Sequence, residues 1–505
     1  MRSFRCWRSR AAGTHPRGWV RTCRRRSRRL SRTSSGSTAS SAQTNVVAFQ
    51  WAVATGQAEE SLLYLRSVGD RFLLFRHDPG ATWDDLLHDD ADRIGFFQVG
   101  DEVQVYRPAR HESGWRIEHW RATVSEARRA HWTLLTAYPM PASSASSVDA
   151  LPDGRVRYVR EGGRVCLLVE RKGQAPCEVA FAEPVYEIRP ALSQSRRPSS
   201  AFGYRFILDS LTIPPVCHEL DPSSGRTRVV LASRVRGFDP SRYVTRNLRV
   251  RSADGTEVPV SLAYRGPLEP RRRPVLIEAY GALGLPAPVG FRAANLSLLD
   301  RGVVLAVAHV RGGGDLAEEW HRAGRGRGKE KSIEDVIAVA EQLRSSGIAA
   351  PGRVAARGGS SGGFLIAAAA GRRPELFQTL VLDLPVLDLL SFLERDARGA
   401  ALQEWGDPAV AADYRWLREL CPTANLAPRN HPAMLIHAAW HDRRVPWWCA
   451  ARYVARLRAV KTDGNPVLLL TSWNGGHAGP SRRSDRIRED ALQCAFLLHR
   501  FGISE

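Results

Sequence analysis

A serine in a glycine-rich turn, between a predicted strand and a predicted helix, constrains this chain more than any other feature. The run RGGSSGGF covers residues 357–364, with a β-type stretch before it at 353–357 and an alanine-rich helical stretch after it at 364–370. A strand, G-x-S-x-G and a helix form a nucleophile elbow, in which the serine takes a positive φ and its flanking residues must be glycine-sized. The turn exposes the serine Oγ at the carboxyl end of a sheet and directs helix N-terminal amides at a developing oxyanion. The segment therefore predicts a serine hydrolase.

The motif fits two overlapping registers. Ser360 lies between Gly358 and Gly362, and Ser361 lies between Gly359 and Gly363. The pattern by itself leaves both serines open as the nucleophile.

Two further polar motifs supply candidate partners for the serine. HDRRVP at 441–446 contains Asp442, and NGGHAG at 474–479 contains His477. Each follows a short apolar run, at 433–439 and 466–472, that is typical of a buried parallel strand. The order Ser, Asp, His is that of the α/β-hydrolases, and the spacings of 82 and 35 residues leave room for intervening strand–helix units. We predict a triad in which His477 accepts the Ser360 proton and Asp442 orients the imidazole.

From about residue 204 to the C-terminus the chain resembles the prolyl oligopeptidase family of serine peptidases, and its oligopeptidase B branch more than the prolyl-specific one. The resemblance rests on EAYG at 278–281, VAHVRGGGD at 307–315, GGSSGG at 358–363, EWGDP at 404–408, HDRRVP at 441–446 and GH at 476–477. It implies an α/β-hydrolase domain capped by a β-propeller that admits only short, unstructured peptides. The family's G-G-S-x-G-G places the nucleophile first, which selects Ser360 over Ser361.

Residues around the reacting carbonyl follow from chemistry and from the resemblance. The backbone N–H of Ser361 is one expected oxyanion donor. The resemblance implies that the Tyr280 hydroxyl is the second, with a buried structural tyrosine as the alternative. It also implies that Arg444 contacts the substrate main chain and that Trp405 lines the S1 pocket, with a plain surface charge and plain packing as the alternatives.

The specificity pocket departs from the resemblance. Oligopeptidase B selects basic residues through carboxylates near the Glu-Trp-Gly motif, whereas Ala401, Gln403 and residues 288–291 carry no acid here. An arginine in S1 needs a buried counter-charge. Three acids are near in sequence but none is at the expected place: Glu394, Asp396 and Glu404. Trypsin-like specificity is therefore not expected.

The chain divides into three predicted parts. Residues 1–45 are expected to be a disordered tail, and residues 46–240 show short alternating runs with frequent glycine turns, which predict antiparallel β structure. At about 40–45 residues a blade, this region would hold about four blades of a truncated β-propeller-like domain, whereas the resembled family has seven. Residues 241–505 alternate strands and helices and predict an α/β-hydrolase domain with a doubly wound, mostly parallel sheet. Its helix at 333–343 is expected to begin with a capping box of Ser332 and Asp335.

The predicted tail contains twelve arginines and no Asp or Glu, which is more than half of the net charge of +21. It lacks an apolar period, so we favour a tail without function over a nucleic-acid or membrane-surface arm or a transit peptide. Deleting residues 1–45 is expected to leave the Tm and the hydrolytic rate nearly unchanged. A large fall in either, measured by calorimetry and by substrate assay, would show that the arginines bind the folded part.

Composition bears on cofactors, cellular location and binding partners. The eight cysteines are dispersed, without C-x-x-C or histidines at ligand spacing, so we expect no metal, no cofactor and a reducing, cytoplasmic location. No apolar stretch reaches the roughly 18 residues of a membrane span, and we expect a monomer without nucleic-acid or membrane partners. The predicted function is a serine-type oligopeptidase that acts on short peptides. An esterase or thioesterase of the same fold and an inactive truncated relative are the alternatives.

Overall fold

The structure is a computed structural model. It describes residues 154–504 apart from gaps at 162–163, 172, 192–203, 268–272, 317, 396–399 and 481, and between residues 45 and 151 it describes mainly strands. Residues 1–44 of the predicted tail lie outside the described residues, and so does Asp396.

The amino-terminal half forms four sheets of four strands each, and the strands of each sheet pair antiparallel in chain order. The first sheet contains β1 (Asn45–Ala52), β2 (Ser61–Val68), β3 (Arg71–His77) and β4 (Asp85–His88), and the second β5 (Gly95–Val99), β6 (Glu102–His111), β7 (Gly114–Thr123) and β8 (Thr133–Pro139). The third contains β9 (Ala145–Leu151), β10 (Gly154–Glu161), β11 (Arg164–Arg171) and β12 (Cys177–Val179), and the fourth β13 (Glu187–Pro190), β14 (Tyr204–Asp209), β15 (Val216–Leu220) and β16 (Thr227–Ala232). Four such sheets agree with the predicted all-β, blade-like region.

The third and fourth sheets share an apolar core. Tyr158 and Leu167 from the third sheet pack with Phe206 and Leu220 from the fourth, and all four side chains are buried. Their neighbours along these short strands are themselves half-buried or buried.

The carboxyl-terminal half is built on one eight-stranded sheet of order β17-β18-β20-β19-β21-β22-β23-β24. The pairs β17–β18 and β18–β20 are antiparallel and the other five pairs are parallel. The strands are β17 (Tyr243–Arg251), β18 (Glu257–Arg265), β19 (Arg273–Ala279), β20 (Val304–Ala308), β21 (Ala349–Gly359), β22 (Thr379–Asp383), β23 (Ala433–Ala439) and β24 (Val467–Ser472), followed by a small ribbon of β25 (Gly475–Gly476) and β26 (Gly479–Pro480).

Helices cover both faces of this sheet, and each face has its own apolar core. The helices are α1 (Ala293–Leu299), α2 (Glu318–Ala323), α3 (Lys329–Ser345), α4 (Ser361–Arg372), α5 (Leu389–Arg395), α6 (Ala400–Trp405), α7 (Ala411–Leu420), α8 (Trp447–Val460) and α9 (Arg483–Arg500). Val336 of α3 and Phe364 of α4 belong to one core, whereas Leu298 of α1 and Leu497 of α9 belong to the other. The predicted doubly wound, mostly parallel α/β fold is confirmed.

The capping box predicted for the helix at 333–343 is wrong. The helix begins at Lys329, so Ser332 and Asp335 lie inside it. Ser332 Oγ donates to the Arg311 carbonyl oxygen at 2.7 Å, and Asp335 Oδ2 accepts from the Arg311 backbone N–H at 3.0 Å. The two side chains therefore hold the loop after β20, because tertiary contacts outweighed the local capping preference.

No helix in the described ranges is both long and apolar enough to cross a membrane.

Candidate active site

Four strands bring the predicted site residues to one edge of the sheet. Tyr280 follows β19 directly and Ser360 follows β21 directly, while Asp442 and His477 follow β23 and β24 by three and five residues. The carboxyl ends of parallel strands meet at the same edge, which is where open α/β sheets place their ligand sites.

Ser360 occupies the sharp turn between β21 and α4, with φ 53° and ψ −121°. A Cβ on Gly358 would lie 2.4 Å from the Gly362 carbonyl oxygen, and one on Gly362 would lie 2.5 Å from the Ala279 carbonyl oxygen. Both distances are too short for any side chain, so glycine is required at both positions. The Ser360 N–H donates to the Asp383 carbonyl oxygen at 2.9 Å and ties the turn to β22. The positive φ and the tight flanking glycines are those expected of a nucleophile elbow.

Ser360, His477 and Asp442 lie in one hydrogen-bonded row. His477 Nε2 is 3.1 Å from Ser360 Oγ, and His477 Nδ1 is 2.7 Å from Asp442 Oδ2. The other carboxylate oxygen of Asp442 accepts the backbone N–H groups of Arg444 and Val445, at 2.8 and 2.9 Å. An imidazole that donates from Nδ1 leaves Nε2 free to accept the serine proton. The row can thus activate a hydroxyl.

Tyr280 and Ser361 lie beside the Ser360 hydroxyl. Burial raises the pKa of the Tyr280 hydroxyl, and hydrogen bonds with the Ser361 and Ser360 side chains offset part of that rise. The tyrosine is therefore a protonated donor at neutral pH. Ser361 is the first residue of α4, so its N–H is among those that have no acceptor within the helix. Both serine side chains interact with Tyr280, but Ser361 is buried, and it is the Ser360 hydroxyl that lies 3.1 Å from His477 Nε2.

A second Ser–His–Asp row lies inside the same domain and was not anticipated from the sequence. His309 Nε2 is 2.8 Å from Ser261 Oγ, and His309 Nδ1 is 2.7 Å from Asp315 Oδ1. The exposed fractions of the three residues are 3%, 1% and 1%, so no substrate reaches them. Asp315 Oδ1 also accepts the Ala287 N–H at 3.0 Å, which shows that the row supports a loop. Solvent access distinguishes the two rows.

A cavity of about 390 Å³ opens beside Ser360 and His477. Its walls come from the carboxyl edge of the sheet, the loop that precedes α1, and helix α9. Its lining includes Tyr280, Pro288, Arg292, Asp383, Arg444 and Gln493.

The two carboxylates that line this cavity each have a basic side chain as a partner. Glu278 Oε1 accepts from Arg357 at 2.5 Å, and Asp383 Oδ1 lies 2.6 Å from His437 Nδ1. Burial alone would raise the pKa of Glu278, but the Arg357 guanidinium holds it below its usual value. Neither Glu278 nor Asp383 was singled out from the sequence. Glu278 follows the apolar run at 275–277 and Asp383 follows the apolar run at 380–382, and these short runs were the available signal.

The two residues that the resemblance assigns to substrate binding have different surroundings. Arg444 is exposed and lines the cavity with Ser360 and His477. Trp405 is buried, with its ring edge-on to Phe364 at 4.6 Å between centroids. The position of Trp405 agrees with the packing alternative, and that of Arg444 with a contact to substrate.

Two of the three acids considered for S1, Glu404 and Glu394, lie within the described residues. Glu404 is buried and lies 2.5 Å from Lys329 Nζ and 2.8 Å from His321 Nε2. Burial raises its pKa, but the hydrogen bond from His321 and the Lys329 charge together lower it below the usual value. Glu394 is exposed at the end of α5.

A doubly wound sheet with an elbow serine, a histidine and an aspartate at its carboxyl edge defines an α/β-hydrolase arrangement of the serine type. The chain aligns with solved structures of this architecture: oligopeptidase B from Leishmania major has a TM-score of 0.74 at 22% identity, over 90% of this chain and 72% of that one. Oligopeptidase B from Trypanosoma brucei has a TM-score of 0.74 at 24% identity, over 92% of this chain and 80% of that one. These likenesses establish an α/β-hydrolase fold with an amino-terminal β-propeller domain.

Sequence comparison identifies the family. Residues 289–504 match the Prolyl oligopeptidase family. Dipeptidyl aminopeptidase BI of Pseudoxanthomonas mexicana is 35% identical over 305 residues, which is 59% of this chain and 42% of that protein. Protease 2 of Moraxella lacunata is 31% identical over 349 residues, which is 68% of this chain and 50% of that protein. These matches identify residues 289–504 as a region of the prolyl oligopeptidase family, as the motifs predicted.

The chain is shorter than its relatives. It spans 42% and 50% of the two relatives above, and 59% of an uncharacterized peptidase of Sinorhizobium fredii that is 32% identical over 452 residues.

Proposed function

We propose that the chain is a serine-type oligopeptidase that hydrolyses short peptides through an acyl-enzyme. The observation that carries the proposal is the row from Asp442 through His477 to Ser360 Oγ, which ends at an open cavity. The names of the related proteins, among them a dipeptidyl aminopeptidase and a prolyl endopeptidase, support peptides as the substrate class.

In the proposed reaction, the same groups act first in acylation of Ser360 and then in deacylation. His477 Nε2 accepts the Ser360 proton while Oγ attacks the scissile carbonyl carbon, and the Ser361 N–H and the Tyr280 hydroxyl donate to the oxyanion. His477 then gives the proton to the leaving amine as the C–N bond breaks. Water repeats the sequence on the acyl-enzyme and releases the acid product with Ser360 restored. Asp442 stays ionised and stabilises the imidazolium.

The experiment that tests this function is fluorophosphonate labelling followed by a substrate panel. Labelling together with turnover of short peptide amides supports the proposal. Labelling with turnover of esters or thioesters alone would favour the esterase alternative, and the absence of labelling would favour an inactive relative.

Substrate preference at P1 gives a separate prediction. Glu404, the acid nearest in sequence to Ala401 and Gln403, is already bound by Lys329 and His321. A basic P1 side chain then lacks the charge-assisted hydrogen bonds that contribute about 1.5–3 kcal/mol each. We expect kcat/KM for Arg or Lys at P1 to exceed that for Phe or Ala by less than about a hundredfold.

A matched variant sharpens this prediction. Gln403→Glu puts a carboxylate at a place where the resemblance expects one, so it should raise the Arg-to-Ala ratio of kcat/KM by about tenfold or more. A wild-type preference above about a thousandfold for Arg would contradict the prediction and assign the role to another acid.

A further inference from the structure

A buried ion pair lies directly behind the turn that carries Tyr280. Lys329 and Glu404 have side chains that are 1% and 2% exposed, and their charged atoms are 2.5 Å apart. The Lys329 ammonium also lies over the Trp405 ring, 5.0 Å from its centroid. Burial of two charges costs about as much as their attraction returns, so such a pair is weak evidence for a stabilising role.

Both members of the pair bind the backbone that follows Tyr280. Lys329 Nζ donates to the Gly281 carbonyl oxygen at 2.8 Å, and the backbone N–H of Leu283 interacts with the Glu404 carboxylate and contributes to its lowered pKa. His321 Nε2 contacts the remaining carboxylate oxygen at 2.8 Å. The pair therefore holds one carbonyl and one amide of the same four-residue turn.

That turn needs external support. Gly281, Leu283 and Gly284 have φ values of 59°, 59° and 61°, a region that is unfavourable for a leucine side chain. The Gly281 carbonyl also lies in a narrow space, because a Cβ on Gly312 would come within 2.4 Å of its oxygen. A strained backbone persists only where its surroundings over-determine it.

We propose that Lys329 and Glu404 are positioning residues, which hold the 281–284 turn so that the Tyr280 hydroxyl meets the oxyanion. The inference rests on the proposed hydrolase function. The pair contacts neither Ser360 nor the substrate in this assignment and acts through Tyr280 alone. Its loss should consequently lower kcat and leave KM largely unchanged.

The test is a double-mutant cycle between the pair and Tyr280. Lys329→Met keeps an unbranched apolar side chain that is one atom shorter and lacks the ammonium, and Glu404→Gln keeps the size and removes the charge. Each is expected to lower kcat on a short alanyl peptide amide by about 10- to 100-fold, because a misplaced catalytic donor costs on that order, with KM changed less than about threefold. In a Tyr280→Phe background the same substitutions should lower kcat by less than about threefold.

The combined variant Lys329→Met/Glu404→Gln leaves no single charge unpaired and provides a readout if either single variant fails to fold. Glu187→Gln is the matched control, since Glu187 forms a 2.5 Å pair with the largely buried Arg160 in the third and fourth sheets. It should lower the Tm without a change in kcat.

Two outcomes would overturn the inference. One is a fall in kcat that is equally large with Tyr280 and with Phe at that position, which identifies a merely structural pair. The other is an unchanged kcat in folded variants. A wild-type protein that neither labels with fluorophosphonate nor hydrolyses peptides would instead remove the proposed function itself.

Discussion

Ser360→Ala is expected to lower kcat by about 10⁶-fold and to abolish fluorophosphonate labelling. Ser360 Oγ is the atom 3.1 Å from His477 Nε2, and the elbow directs it into the cavity. Without that oxygen no acyl-enzyme forms, and the remaining donors act only on direct attack by water. The measurement is in-gel labelling together with steady-state turnover of a peptide amide.

Ser361→Ala is the matched control for the register of the motif. The Ser361 hydroxyl contacts Tyr280, and its backbone N–H survives the substitution. Most of the labelling should therefore remain. If labelling were lost in Ser361→Ala and retained in Ser360→Ala, the nucleophile would be Ser361.

Asp442→Asn is expected to lower kcat by about 10⁴-fold with little change in the fold. Oδ1 of Asp442 accepts the N–H groups of Arg444 and Val445, so the amide oxygen of an asparagine must take that place. Its NH₂ group then faces His477 Nδ1, which has to become an acceptor. The proton moves to Nε2, and the imidazole can no longer accept the proton of Ser360. Steady-state kinetics and a melting curve measure the two effects.

Asp463→Asn provides the comparison for this variant. Asp463 also accepts two backbone N–H groups, from His431 at 2.7 Å and Asn465 at 2.8 Å, but it precedes β24 at the opposite edge of the sheet. It should lower the Tm and leave kcat within about twofold, as expected for a site away from the chemistry. Equal losses of kcat in both variants would mean that Asp442 has a structural role only.

Local patterns predicted the central strands well. The apolar run at 433–439 coincides with β23 (Ala433–Ala439), and the run at 466–472 is within one residue of β24 (Val467–Ser472). Both strands are short, apolar and bounded by turn-forming residues, so their limits are encoded locally. The helix predicted at 333–343 was too short, because its first turn is polar and is held by the buried Lys329.

The sequence by itself determined the elbow around Ser360, the order of Ser360, Asp442 and His477, and the two halves of the fold. These features depend on backbone geometry and on residues close together in the chain. The positions of glycines, the period of apolar residues and the order of motifs can be identified in the sequence without knowledge of the tertiary structure. The elbow also predicted that the serine Oγ would be exposed at the carboxyl end of the sheet.

Only the tertiary structure decided which of the remaining polar residues face the cavity. Glu404 and Lys329 are 75 positions apart, and their pairing occupies the acid that is nearest in sequence to Ala401 and Gln403. Ser261, His309 and Asp315 repeat the geometry of a triad but are buried, so they perform no chemistry on a substrate. Burial and the pairing of charges depend on long-range packing, and local sequence carries no signal for either.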